Sequence, residues 1–404
     1  MTGAASFPGA GGYTVTMVVS GASAEQSGDA VGGVGGPARR APSCPKRMVF
    51  GPCGGVRAGG RCEVDERPCP FVAMPAPAWP RRAPEGERFE AERSRLTPPV
   101  IVCDIRPAEP TLAAVRALGR LHAHWCDAVL LGEHHDRIDL PNVTVAPALL
   151  DEGCRPWVTL TCRDRNAVAL EADLAALIEL GIGEVHCVTG DARAAHVRPG
   201  STAVFDLDSL RLTALARRFG LTVSVAESPT VEPVDRRPAR AADKSRAGAS
   251  WCFVNLGVTP GELDRFIGAS RRAGSSMRHV ACVPVFTDAV GADRLSALPG
   301  VQLDPEVVRS VIHAPDPRMA GIAQAVAAAR TFLAIDGVDG INLSGSASTA
   351  GPDDRPAIMR AVAEQIRTPE GGSLGGARRP PASSTSGGLA ARLATDRGGE
   401  GGRG

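Results

Sequence analysis

Residues 155–191 read RPWVTLTCRDRNAVALEADLAALIELGIGEVHCVTGD. The stretch parses as one strand–helix–strand unit. Pro156 to Thr161 is a short run rich in Val, Thr, Leu and Trp, which suits a buried strand. The polar turn Cys162-Arg163-Asp164-Arg165-Asn166 follows, and Asp164 or Asn166 can cap the next helix by accepting a bond from its free N–H groups. Leu170, Leu174, Leu177 and Ile178 recur at helical spacing and predict one apolar face. Gly181 and Gly183 stop the helix, since glycine tolerates the left-handed backbone needed there. Val185 to Val188 is a second strand, ending in Thr189-Gly190-Asp191. Two parallel strands joined by a helix place both polar turns at one end of the sheet, the end where α/β folds bind ligands.

The same alternation extends outward from Pro98 to about Arg367. Strands are predicted at 100–105, 127–132, 156–161, 184–189, 221–226, 250–255, 279–285 and 339–343. Helices are predicted near 110–123, 166–180, 207–219, 236–247, 259–273 and 319–334, with the second and seventh connections poorly marked. Eight strands over about 270 residues match a (β/α)8 TIM-type barrel. A doubly wound open sheet is the rival, but no G-x-G-x-x-G follows the first strand, which counts against a dinucleotide-binding version. The organisation expected is a disordered 1–40, a cysteine-rich module at 41–71, a proline-stiffened linker at 72–97, the barrel at 98–367 and a disordered Gly/Ser/Pro/Arg tail at 368–404. Met17 is an alternative start to Met1.

Composition narrows the function. The net charge is +1, so neither a nucleic-acid nor a membrane partner is implied. No apolar run is long enough to span a bilayer, and no signal peptide is visible. Eleven cysteines without a secretion signal suggest reduced thiols or metal ligands in a cytoplasmic protein. The basic residues are almost all arginine; Lys46 and Lys244 are the only lysines, which draws attention to each. Cys44, Cys53, Cys62 and Cys69 fall in CPKRMVFGPCGGVRAGGRCEVDERPCPF, a segment with too little apolar content for its own core. A metal is the natural substitute, either zinc or an iron–sulfur cluster, and a loop with free thiols is the alternative. The loop Gly132-Glu133-His134-His135-Asp136 invites a metal as well, although adjacent histidines rarely share one ion.

Three stretches carry a family resemblance. "TLTCRDRN" followed by "GIGEVHCVTGD" resembles methylenetetrahydrofolate reductase, a flavin-dependent barrel enzyme of one-carbon metabolism. The cysteine segment is similar to the module that accompanies such barrels in some bacteria. The resemblance spans about residues 44–71 and 100–345. It implies FAD as cofactor, a folate as substrate, and NADH, NADPH or a partner reductase as electron source. Oligomeric state is left open between a monomer and a homo-oligomer. Site residues follow position by position. Asp104 stands where the family has a glutamate acid at the end of strand one, and Asp191, in "GD", near the flavin pyrimidine and the folate ring. Thr159 replaces a histidine of the family's "HLTC" motif. Arg165 and Asn166 keep the "CRDRN" turn, Gly190 precedes Asp191, and Asp206 and Asp208 match "FD-x-DS". Lys244 matches a lysine on a flavin phosphate, on an exposed helix position, and Asn255 replaces a glutamine that holds the pterin. Asn342 and Ser344 in "GINLSG" are also family-like. The flavin-packing tyrosine is replaced within Glu227-Ser228-Pro229. Read from the residues alone, Asp104, Asp191 and Asp206 serve equally as helix caps and Lys244 as a solvated charge. Two functions follow: flavin-mediated reduction of methylenetetrahydrofolate to 5-methyltetrahydrofolate, or a non-catalytic folate-binding or electron-transfer subunit with a degenerate flavin site.

Overall fold

A computed structural model describes residues 44–80 and 96–368, apart from 135–136, 193–197, 199, 299–300, 302, 349–350 and 352, together with the backbone of 3–8 and 14–19. The tail predicted at 368–404, beyond Thr368, lies outside the described residues, as do 81–95 of the linker. Within the stretch read as disordered, β1 (Gly3–Pro8) and β2 (Thr14–Val19) pair antiparallel. The run Thr14-Val15-Thr16-Met17-Val18-Val19 is mostly β-branched, which favours the extended backbone.

Eight parallel strands close into a barrel: β3 (Val100–Ile105), β4 (Ala128–Leu131), β5 (Pro156–Thr161), β6 (Glu184–Val188), β7 (Thr222–Glu227), β8 (Trp251–Val254), β9 (Arg278–Phe286) and β10 (Val338–Ala347), with β10 pairing back onto β3. This is the expected (β/α)8 arrangement. Its outer ring includes α2 (Leu112–His122), α3 (Asn142–Asp151), α4 (Ala167–Glu179), α5 (Ser209–Arg218), α6 (Arg237–Arg246) and α7 (Pro260–Arg272). Among the described residues the connection from β9 to β10 holds three helices, and the Asp354–Arg367 helix follows β10. Asn166, not Asp164, caps α4, accepting from the Ala169 N–H at 2.9 Å. Gly181 takes φ of +76° and ends that helix, whereas Gly183 has an ordinary backbone. Leu170, Leu174 and Leu177 are fully buried, but Ile178 is exposed and does not extend the apolar face.

Side chains alternate across the barrel wall, as the pleat requires. On β3, Val100 and Val102 pack in the interior with Trp157, Trp251 and Phe253, while Ile101 and Cys103 join the layer under the helices. Asp104 therefore falls on the inward row, and so do Thr159 and His186, which are in register. The Trp157 ring packs 5.1 Å from Phe253 and 5.7 Å from Trp251.

The cysteine-rich segment, with its short helix α1 (Pro70–Ala73), packs against the barrel. Met48, Val56, Cys69 and Phe71 form a small core, and Val49, Phe50 and Trp79 complete a second one on Leu210 and Ala214 of α5. The apolar surface missing from the module is thus supplied by the barrel helices. Trp79, expected in the linker, is only 2 % exposed and belongs to this packing. Arginines of the barrel bind module carbonyls: Arg237 donates to Cys53 O (3.1 Å), Arg240 to Phe50 O (2.8 Å), and Arg236 to Phe71 O (2.7 Å).

Trp157→Ala should cost about 3–5 kcal/mol of unfolding free energy, by loss of burial and cavity formation. Trp157→Phe should cost much less, because it also removes a buried indole N–H with no acceptor. Urea denaturation of the two variants checks the ordering.

Candidate active site at the barrel mouth

The C-terminal ends of the strands open into two neighbouring cavities. One, of about 990 Å³, is lined by Asp104, Glu133, Thr161, Arg163, Asp191 and Arg355 among others. The second, of about 430 Å³, lies between barrel and module and is lined by Lys46, Cys53, Thr159, His186, Gly190, Asp191, Lys244 and Asn255 among others. Gly132, Glu133, Thr161 and Asp191 wall both, so the cavities meet there.

Asp104 is not a helix cap. Thr111 caps α2, accepting from Ala114 N–H at 3.2 Å. The Asp104 carboxylate instead accepts from Asn342 Nδ2 at 2.8 Å, and its backbone carbonyl accepts from Arg355 Nη2 at 2.5 Å. Burial pushes the carboxyl above its ordinary value; the Asn342 bond, Arg355 and Ser344 pull it partly back. A carboxyl in that position retains its proton to higher pH than a solvated one, as a proton donor must.

Asp191 is not the cap of α5, which is Asp208, accepting from Arg211 N–H at 3.1 Å. Its turn is held from both sides: Arg163 Nη1 donates to Asp191 O at 2.6 Å, and Lys46 Nζ donates to Gly190 O at 2.7 Å. Gly190 has φ of +93°, and a Cβ there would press on Thr161 and Arg163 at 3.1 Å, so the turn requires glycine.

Lys244 corrects the expectation of an exposed charge. It is 4 % exposed, 2.5 Å from Glu227 and donating to Ala226 O. Burial depresses its ammonium, while Glu227 opposes that. Burial would raise Glu227, but Lys244, Arg237 and Arg240 hold it below its usual range.

Of the other predicted residues, Asn166, Asp206 and Arg165 lie apart from these two cavities, whereas Asn255 and Cys53 border the second. Asn166 is the exposed cap of α4, and Asp206 accepts weakly from Ala167 N–H at 3.4 Å. Arg165 pairs with Glu133 and with Asp173 on the outer side. Asn255 is exposed at the rim and donates to Ser228 Oγ at 2.8 Å. Cys53 lines the second cavity; Cys44 and Cys69 pack in the module core. The Cys69 thiol is pushed up to about 11, first by burial and then by Cys53, Cys44 and Cys62. Yet among the described residues no group of three or more His, Cys, Asp or Glu side chains is placed to hold a metal ion. The donor types suit zinc or a cluster.

Several site residues carry little sequence signal. His186 is buried beside Ser224 Oγ at 2.9 Å, and burial, then Lys244, lowers it to about 3, so it is neutral. Its signal is its place on the inward row of β6. Glu133 accepts from both Thr161 Oγ1 (2.6 Å) and Thr161 N–H (3.1 Å). Lys46, Arg237 and Arg240 come from outside the barrel strands altogether.

A family model described as "Methylene-tetrahydrofolate reductase C terminal" matches residues 34–78, the cysteine-rich segment, which here precedes the barrel. No curated protein matches. Among solved structures, an uncharacterized protein from Clostridium thermocellum that binds two copies of 5-methyl-5,6,7,8-tetrahydrofolic acid aligns at 8 % identity and a TM-score of 0.49, over 67 % of this chain and 96 % of that one. Tryptophan synthase from M. tuberculosis aligns at 14 % identity and a TM-score of 0.40, over 67 % and 94 %. At these scores neither says anything of the site. No helix among the described residues is long and apolar enough to cross a membrane.

Lys244→Ala should cost about 3–5 kcal/mol, because Glu227 is left buried without its nearest counter-charge. The pair Lys244→Met with Glu227→Gln should recover much of it, as chemical denaturation will show. Asp104→Asn should stabilise the fold at neutral pH. The folded carboxyl binds its proton more tightly than the unfolded one. Wild type therefore loses stability as pH rises from about 3.8 through the raised folded value. The asparagine variant should lack that loss, and melting temperatures across pH 3–8 measure the difference.

Proposed function

We propose that the protein reduces 5,10-methylenetetrahydrofolate to 5-methyltetrahydrofolate with a flavin, FAD, held at the barrel mouth. The observation that carries this reading is Asp104: an inward carboxyl of raised proton affinity, oriented by Asn342, in the same cavity as Asp191. The family match at residues 34–78 supports it independently. The donor set suits a flavin nucleotide. Lys244, Arg237 and Arg240 line one wall for a phosphate, and the Gly190–Asp191 turn offers close backbone approach on the other. Thr159 and Asn255 supply polar groups at the cavity wall and rim.

In this reading Asp104 donates a proton, directly or through one water, to the departing nitrogen of the folate's five-membered ring, exposing an iminium. Asn342 keeps the carboxyl facing the cavity. Asp191 hydrogen-bonds the pterin, its own peptide fixed by Arg163. When bound, a flavin would supply the hydride, and NADH, NADPH or a partner reductase would renew it. Neutral His186 adds no charge to the cavity wall. No step runs through the cysteines.

One observation favours a second reading, an accessory folate-binding or electron-transfer subunit. Two of the three Lys244 donors are committed to Glu227 and Ala226 O, leaving less for a phosphate.

The purified chain should show the two-banded yellow spectrum of a flavoprotein. Asp104→Asn should keep that spectrum and lose about 10²–10⁴-fold in turnover, the usual worth of general acid catalysis. Equal rates for wild type and Asp104→Asn would remove Asp104 from the chemistry, and a colourless wild type would favour the accessory role.

A further inference from the structure

Of 45 basic residues only two are lysine, and both wall the same 430 Å³ cavity. Lys46 enters from the cysteine-rich module and Lys244 from α6 of the barrel. They are 3 % and 4 % exposed. An ammonium has three donors. Lys46 uses two, on Gly190 O and on the Glu63 carboxylate. Lys244 uses two, on Ala226 O and on Glu227. By that count one N–H on each is not committed to these partners; Lys46 Nζ also lies 5.9 Å from the Phe205 ring centroid, and both side chains border the cavity. Elsewhere in the chain arginine does the work of charge pairing. An ammonium differs in being a compact point charge, which suits a phosphoryl oxygen approached end-on rather than by a planar fork.

The surroundings explain how two ammonium groups are tolerated without a ligand. Glu63 and Glu227 neutralise one each. Gly55 makes the first pairing possible, because any Cβ at that position would collide with the Glu63 carboxylate. With Arg237 and Arg240 set against Glu133 and Asp191, the wall is balanced in charge. Recognition there depends on directed donors, not on a broad positive field.

We propose that Lys46 and Lys244 form a two-lysine phosphate clamp. The module supplies half of it, so a phosphate-bearing ligand in the barrel mouth is gripped by both parts of the chain at once. The inference rests on the flavin reading only for the identity of the ligand.

Because the chain has two lysines, labelling lysine with ¹³C at Cε gives a two-signal spectrum of the full-length protein, assigned with Lys46→Arg and Lys244→Arg. Inorganic pyrophosphate, then FAD, is titrated into protein freed of nucleotide. Both signals should move, with the same apparent affinity. Lys46→Met should weaken FAD binding by about 10- to 100-fold, the worth of a charge-assisted hydrogen bond. Protease resistance of residues 44–80 checks that the module stays docked in that variant. If pyrophosphate moves both signals while FAD does not bind, the clamp stands and the flavin reading fails. If the Lys46 signal stays fixed with either probe while Lys244 responds, or if neither lysine responds, the clamp is wrong, whatever the colour of the protein.

Discussion

The junction of barrel and module depends on one buried carboxylate. Glu227, at the end of β7, is 2 % exposed and carries Lys244 at 2.5 Å and Arg240 at 4.0 Å, with Arg237 close enough to lower its proton affinity. Three cations within about two helix turns would repel one another in a dry interior. The carboxylate makes their burial tolerable, and the arginines it gathers then reach across to Cys53 O and Phe50 O. The ion cluster is thus less a source of net stability than a device for orientation. It points two guanidinium groups at module carbonyls that would otherwise be hard to satisfy.

From this junction the site follows. The module docks on α5 and α6, which brings Lys46 over the end of β6, where it holds the Gly190 carbonyl. Across the mouth, Asn342 of β10 orients Asp104 of β3, and Glu133 reaches from the loop after β4 to Thr161 on β5. The first contact joins strand ends that neighbour one another only because the sheet closes, and the second ties two consecutive strands. The barrel supplies the rigid rim, and polar side chains of the inward row define the chemistry.

The strands were legible because parallel strands buried on both faces read as short runs of Val, Ile, Leu and Cys. The helix α3 was not: its sequence, NVTVAPALLD, holds two valines, a threonine and an interior Pro147, all poor helix formers. The next-to-last connection was hidden because two of its helices, Ala289–Ser296 and Pro305–Ile312, are only eight residues long, too short to display a period. Asp104 and Asp191 were visible from resemblance, but the hydrogen bond from Asn342 to Asp104 spans 238 residues, and no local pattern announces it. The docking of the cysteine segment on the barrel was not legible for a related reason. Its apolar content is indeed too small for a core of its own, and the missing part lies on helices more than a hundred residues away.

That distance has a consequence for biosynthesis. The carbonyl of Phe50 waits for Arg240, 190 residues downstream. At the usual pace of about 5–20 residues per second, the nascent module stands without its docking helix for roughly 10–40 s. Its four thiols and its aromatic anchors, Phe50 and Phe71, are then open to oxidants and to chance contacts on the ribosome. A reducing milieu, or a chaperone that shelters that stretch until α6 emerges, should therefore govern how much of the chain reaches its native state, independently of how stable that state is.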